Sequence, residues 1–269
     1  MALRNNYKLL IELGSGSFGS VWKIVDNKTG FDYAMKIEDK NQKSRLKVEN
    51  DVYNDLKQNG ITKGIPNIYK YFESNKKCFL IMDLLGKSLD NLLNETEKGF
   101  TINQVKMFGI SIINLLEKIH NAGYIHRDIK PNNFLVGYTD NDLYIMDFGL
   151  SKKYIVNDKH IKMKTERSLT GTARYASINV HDGIEPSRRD DLESVGYMLL
   201  YFISKKLPWQ GLKKEKNKSQ IILIGEYKKK ISLDELCFPF PNCFKEYLTY
   251  CRKLKFDETP NYQYLKSLF

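Results

Sequence analysis

Four side chains close together in the chain are of types that act on oxygen-bound groups. In residues 124–135, YIHRDIKPNNFL, Asp128 is followed two positions on by Lys130 and five positions on by Asn133, and a second aspartate, Asp147, precedes Phe148-Gly149. A carboxylate such as Asp128 can accept or orient the proton of a hydroxyl group. Asn133 and Asp147 offer hard oxygen ligands of the kind Mg2+ prefers, and Lys130 can steady an anion in transit. Together these types suit movement of a phosphoryl group onto a hydroxyl, where positioning and charge neutralisation supply most of the catalysis. Each short motif can occur by chance, so the weight rests on their spacing and on the elements that carry them.

Residues 7–38 alternate apolar and polar, with β-branched and aromatic residues and a turn-prone Asp26-Asn27-Lys28-Thr29-Gly30, and read as three antiparallel strands. The first bend holds Gly14-Ser15-Gly16-Ser17-Phe18-Gly19 followed by Val21. Glycines there let backbone amides approach phosphate without interference from a Cβ. The chain continues from Ser20 to Val25 as strand and opens no helix, which favours a hairpin over phosphates against a dinucleotide site. Lys36 closes the third strand. Residues 43–57 carry Leu46, Val48, Val52, Tyr53 and Leu56 near helical spacing and stop at Asn59-Gly60, making Glu49 the candidate ion-pair partner of Lys36. Strands at 67–73 and 78–83 follow. Val105, Phe108, Ile112, Leu115, Leu116 and Ile119 then form one apolar stripe on a helix that leads to the Asp128 loop, with His120 at its end read as a packed residue. Residues 142–146 read as a short strand leading into Asp147.

The 269 residues, 42% hydrophobic and 12% aromatic, can build one large domain or two small lobes. Cys78, Cys237, Cys243 and Cys251 fall in no pattern for zinc or for a disulfide framework, which fits a reducing compartment. No signal core and no membrane-length apolar run occur, and the glycosylation-like triplets at Asn27, Asn94 and Asn217 are chance matches on that reading. The net charge of +11 implies attraction to acidic or phosphorylated partners. The clusters Lys213-Lys214-Glu215-Lys216 and Lys228-Lys229-Lys230 read as solvated basic surface, and no interleaved aromatics suggest a nucleic-acid platform.

The H-R-D…N and D-F-G spacing, the glycine run and the strand lysine resemble the signature of protein kinases. Residues 169–196, LTGTARYASINVHDGIEPSRRDDLESVG, resemble the casein kinase 1 group in particular, because Ser177-Ile178-Asn179 stands where most kinases have Ala-Pro-Glu. Leu84-Leu85-Gly86 with Ser88-Leu89-Asp90, residues 130–135 and 150–154, the run LPWQGL at 207–212 and CRKLKFD at 251–257 extend the resemblance over essentially the whole chain.

The resemblance implies an α+β, bilobal kinase domain over residues 1–269: a small antiparallel-sheet lobe with one helix at 1–83, a hinge at 84–86 and a larger, mainly helical lobe at 87–269. It implies ATP and Mg2+, with Asp128 as catalytic base, Lys130 on the transferred phosphate, and Asn133 and Asp147 on the metal. The nucleotide site it implies comprises Leu13, Gly14, Ser15, Gly16, Ser17, Phe18, Gly19, Val21, Ala34, Lys36, Glu49, Met82, Asp83, Leu85, Leu135 and Met146. Transfer to Ser or Thr is expected, on protein substrates that are acidic or already phosphorylated three residues before the target, without prior phosphorylation of the activation segment. Arg127, Lys152, Arg167 and Arg174 are expected to converge there as a cationic pocket. The lysine that this group places after LPWQGL is assigned to Lys218. Asp191 matches the aspartate that anchors a kinase catalytic loop, and the partner of Arg252 is left open. The chain ends at Phe269 without the long inhibitory tail of many relatives, so inhibition by a tail is not expected. A monomer is expected, intracellular and cytoplasmic, with the nucleus left open and without membrane or specific nucleic-acid partners. The alternatives are a pseudokinase scaffold and a basic nucleic-acid-binding protein.

Overall fold

In a computed structural model, residues 6–16, 19–40, 44–213 and 218–269 are described. Ser17 and Phe18 of the glycine run, Lys43, residues 214–216 of the first lysine cluster and Asn217 lie outside the described residues. The chain forms two compact units: Met1–Lys87 with Phe134–Leu150, and Ser88–Asn133 with Ser151–Phe269. Residues 134–150, expected in the larger lobe, therefore group with the N-terminal unit. The backbone shows why: the Gly86 N–H donates to Val136 O (2.8 Å) and the Val136 N–H donates to Lys87 O (3.1 Å).

The first unit is built on a five-stranded antiparallel sheet in the order β1-β2-β3-β5-β4. The strands are β1 (Tyr7–Gly16), β2 (Gly19–Asp26), β3 (Asp32–Asp39), β4 (Ile68–Glu73) and β5 (Lys77–Asp83). Gly19 opens β2 where any Cβ would overlap the Ile37 carbonyl oxygen, so only glycine fits. Ile24, Met35, Ile37, Phe79 and Ile81 form a buried cluster, with Trp22, Tyr33 and Phe72 against it. Residues of alternate parity point to the opposite face. Helix α1 (Leu46–Gln58) buries Leu46, Glu49, Val52, Tyr53 and Leu56, the i, i+3, i+4 pattern of an inward face, whereas Val48 is exposed. It ends on Gly60 at φ 79°, a left-handed turn. Two short strands, β6 (Tyr124–Ile125) in the second unit and β7 (Phe134–Val136) in the first, flank the Asp128 loop, and β7 pairs with β8 (Leu143–Ile145).

The second unit is helical. After the one-turn α2 (Leu89–Asn94), α3 (Ile102–Asn121) starts at Thr101, whose hydroxyl accepts the Gln104 N–H while the Gln104 side chain accepts the Thr101 N–H. Its buried stripe is the expected one, except that Phe108 is half-buried and packs against Phe100 and Phe202. Then come α4 (Ile178–His181), α5 (Arg188–Ser204), α6 (Gln220–Lys230), α7 (Leu233–Cys237), α8 (Asn242–Lys253) and α9 (Tyr262–Ser267). Helix α5 is buried on nearly all sides, and α3 and α8 pack on it. Among the described residues no helix is long and apolar enough to cross a membrane. The antiparallel-sheet N-lobe and the helical C-lobe are both present as expected.

Candidate active site

In the first unit, strand register brings the expected nucleotide residues onto one face. Val21 lies opposite Lys36 and Lys36 opposite Leu80, while Ala34 lies opposite Met82. Ala34 and Met82 are buried and small or flexible enough to form a flat apolar floor. Gly14 lies opposite Val21, and nothing stands within 4 Å of where a Cβ of Gly14 or Gly16 would be. The Asp83 N–H donates to Asn67 O, and its carboxylate accepts from the Asn67 N–H and Tyr69 hydroxyl, so this residue is committed to strand structure. Leu85 makes no backbone–backbone hydrogen bond among the described residues. Leu135 lies on β7 and Met146 directly follows β8.

Lys36 is the hub of this unit. Its ammonium donates to Glu49 Oε2 (2.7 Å) and to Asp147 Oδ1 (2.8 Å). Glu49 is fully buried and its Oε1 has no hydrogen-bond partner among the described residues. Burial pushes the Glu49 carboxyl up while the lysine beside it pulls the other way. The ion pair holds because two carboxylates face one ammonium, which the Lys36 pKa, raised by Glu49 and Asp147 against burial, reflects. Asp147 sits at φ 69°, a conformation costly for a non-glycine residue. Two contacts hold it there: its N–H donates to the Tyr53 hydroxyl (3.3 Å), and the fully buried Phe148 ring meets Tyr53 edge-on at 4.9 Å. Helix α1 thus fixes both the lysine and the second aspartate.

In the second unit, Asp128 is 5% exposed and every contact aims it. Lys130 Nζ donates to its Oδ2 (2.6 Å) and the Thr172 hydroxyl donates to its Oδ1 (2.8 Å). Asn133 Nδ2 donates to the Asp128 carbonyl (2.8 Å), which turns the Asn133 amide oxygen away as an acceptor. The loop is anchored from below by Asp191, whose Oδ2 accepts the His126 N–H (2.7 Å) and whose Oδ1 accepts the Arg127 N–H (2.8 Å), holding Arg127 at φ 68°. His120 is packed, as expected: Nε2 lies 3.0 Å from Asp191 Oδ2 and Nδ1 2.7 Å from the Tyr262 hydroxyl. Burial alone would raise the Asp191 carboxyl; the hydrogen bonds and imidazoles of His120 and His126 more than offset this and hold it below the usual carboxylate range. Gly171, at φ 91°, stands where a Cβ would overlap the Arg127 carbonyl, so the segment bearing Thr172 can lie directly on the loop.

Of the four expected anion-binding cations, two meet at one carboxylate and Arg174 stands among other residues. Lys152 and Arg167 both pair with the buried Glu185, at 2.7 and 3.0 Å, so two cations share one carboxylate. Burial would raise that carboxyl, but the two cations hold it below its ordinary value. Arg127 contributes its backbone N–H to Asp191. Arg174 is elsewhere: its guanidinium lies over the Tyr175 and Tyr201 rings at 5.7 and 5.5 Å. It lines an open depression of about 540 Å³ with Lys130, Asn132, Thr172, Trp209, Gln210 and Gln220, and among the described residues no acidic side chain lines it. Lys218, assigned to that pocket from the sequence, instead binds both oxygens of Glu226, and Gln220 stands at the rim.

Three contributors were missed. Thr172 is one, hidden because a hydroxyl among Leu169-Thr170-Gly171-Thr172 carries no type signature. Glu193 is the second and supplies the open partner of Arg252: the Tyr197 hydroxyl accepts from Arg252 Nη2 (2.9 Å) and donates to Glu193 (2.5 Å), with Arg252 Nε 3.6 Å from the same carboxylate. Glu193 also accepts the Ile178 N–H (3.2 Å), tying the first residue of α4 to α5. The third, Lys228, was read as solvated surface, yet its side chain is fully buried, while Lys229 and Lys230 are exposed.

In the first unit a buried lysine–glutamate pair has a second carboxylate, Asp147, on the lysine, and in the second an aspartate is held by lysine, threonine and asparagine; these are residue types that a phosphotransferase uses. The protein kinase domain family model matches residues 7–254, and the chain belongs to that family, the protein kinases.

Proposed function

We propose that this kinase is an ATP-dependent serine/threonine kinase of casein kinase 1 type, acting on acidic or already phosphorylated protein substrates. The observation that supports this reading most is the depression around Arg174: Arg174 lines it together with Lys130, and no acidic side chain is among its described lining residues. An anionic side chain near the target residue gains there, and a phosphate, carrying up to about two charges, gains most. Ser177-Ile178-Asn179 favours the same group: the Ser177 hydroxyl donates to Asp190 (2.6 Å) and caps α4, and Glu193 with Arg252 takes over the support elsewhere supplied by Ala-Pro-Glu.

In the reaction, Asp128 accepts the hydroxyl proton of the substrate, and Lys130, 2.6 Å from that carboxylate, shields the incoming phosphoryl oxygens. Thr172 keeps the Asp128 carboxylate in one rotamer. Lys36 holds nucleotide phosphates on the first unit. Each unit carries an oxygen donor of a type that suits Mg2+: Asn133 in the second, whose amide nitrogen is bound to Asp128 O, and the Asp147 carboxylate in the first; these residues would hold the metal. When bound, Mg2+ neutralises charge on the phosphate oxygens. Transfer of phosphate from Mg-ATP to a peptide with phosphoserine three residues before the target serine, compared with alanine there, tests the reading. Preference for the first supports it; no transfer to either, nor to an acidic protein, leaves a scaffold.

A further inference from the structure

The basic run at the end of α6 has a member that is not surface. Lys228 Nζ donates to Ala176 O (2.6 Å) and to Ala173 O (2.9 Å). Its ammonium lies 4.8 Å from the ring centres of both Tyr197 and Trp209, which enclose it. Its two acceptors bracket Arg174 and Tyr175. Residues 173–178 are pinned at further backbone and side-chain atoms: Trp209 Nε1 donates to Arg174 O (2.8 Å), His181 Nε2 lies 3.1 Å from Ala173 O, Ser177 Oγ bonds Asp190 and the Ile178 N–H bonds Glu193. Without Lys228 the buried Ala176 carbonyl loses its ammonium donor and Ala173 O is left to His181 alone, which is expensive, and a lysine is among the residues least often fully buried. A leucine or methionine would pack between Tyr197 and Trp209 as well, so packing does not account for an amine at this position.

We infer that Lys228 is a positioning residue for the protein substrate: it clamps residues 173–176 from beneath, so that Arg174 is presented to the substrate in one fixed orientation. Burial pushes the Lys228 amine well below its ordinary value, with Glu193 acting against it. The clamp does not depend on the outcome, because a neutral amine still has two N–H groups for two carbonyls. A segment held by buried side chains at both ends needs no added phosphate to become ordered. The inference rests on reading the Arg174 depression as the substrate's anion site, and deepens it.

The test is Lys228→Met, with Trp209→Phe as a second variant that removes the N–H to Arg174 O and trims the ring over Lys228. Kinetics with an acidic peptide and Mg-ATP are combined with amide hydrogen exchange of the full chain. Loss of two buried hydrogen bonds in Lys228→Met is expected to raise peptide KM on the order of tenfold while ATP KM stays within about twofold. Exchange over 173–178 accelerates in both variants and that of β1–β5 does not. An unchanged peptide KM with unchanged exchange over 173–178 overturns the inference, as does an equal rise in both KM values. If the wild-type protein transfers phosphate to no peptide, the proposed function fails, and exchange over 173–178 alone decides the clamp.

Discussion

Replacing Asp191 with asparagine strikes the catalytic loop without touching a reacting group. The carboxylate accepts three hydrogen bonds, from the His126 N–H (2.7 Å), the Arg127 N–H (2.8 Å) and His120 (3.0 Å), divided between its two oxygens. An amide has one oxygen, so at least one backbone N–H is left facing an NH2 group. Bonds to a charged acceptor are worth about 1.5–3 kcal/mol each, and leaving a buried donor unsatisfied costs about as much. Arg127 is held at φ 68°, a strain of about 1–3 kcal/mol that these bonds offset. A loss of about 3 kcal/mol from the ordered loop corresponds to roughly a hundredfold fall in kcat. Nucleotide affinity is expected to hold, because Ala34, Lys36, Glu49 and Met82 belong to the other unit. Initial rates of transfer, ATP titration by calorimetry and a thermal melt on Asp191→Asn make the measurement. A kcat within threefold of wild type, with the melt unchanged, would refute the idea that Asp191 holds the loop in its working geometry.

Glu49→Gln keeps the shape of the Lys36 contact but removes its charge, so ATP affinity is expected to fall on the order of tenfold and the thermal midpoint to drop, since the Lys36 ammonium then has only Asp147 as a close counter-charge; unaltered ATP affinity by calorimetry counts against the pair. Arg174→Ala is expected to raise KM for a phospho-primed peptide more than for an acidic one, because the primed phosphate carries about two charges against one; equal effects argue against an anion site there. His181 is held down to about 4 by burial, with the Lys228 charge adding and Ala173 O and Asp182 opposing. Its folded value lies below the ordinary value of about 6.5, so the stability it contributes is present above that pH and is lost as pH falls toward about 4. Thermal midpoints across that window are expected to drop less in His181→Gln than in wild type; parallel curves contradict this.

The parts legible in sequence were those whose residue type and spacing both carry information. Lys36, Glu49, Asp128, Asn133 and Asp147 combine rare charge in an apolar pattern with fixed intervals, and the structure places Lys36, Glu49 and Asp147 on one hub. Asp191 could be named because the run Asp191-Leu192-Glu193-Ser194-Val195-Gly196 matches the pattern of the resembled family. What stayed hidden depended on tertiary partners. Nothing local distinguishes Lys228 from Lys229, since only Ala173 O and Ala176 O, more than fifty residues earlier, make a buried amine tolerable. Glu193 looked like any helix glutamate until Tyr197, Arg252 and Ile178 met around it. Lys152 and Arg167 were read as free charge because Glu185, their shared carboxylate, sits among small and polar residues with no pattern of its own. Residues 134–150 follow the catalytic loop in sequence, yet the β7–β8 pair and the Gly86–Val136 bond assign them to the first unit.

The central claim is that Asp128 accepts the hydroxyl proton during phosphoryl transfer. Steady-state transfer from Mg-ATP to a serine peptide with an acidic or phosphorylated residue three positions earlier, by wild type and by Asp128→Asn, tests it most directly. The account predicts robust transfer by the wild type and a fall of about two to four orders of magnitude in kcat for the variant, with ATP affinity nearly unchanged. An Asp128→Asn protein that turns over at the wild-type rate would contradict it.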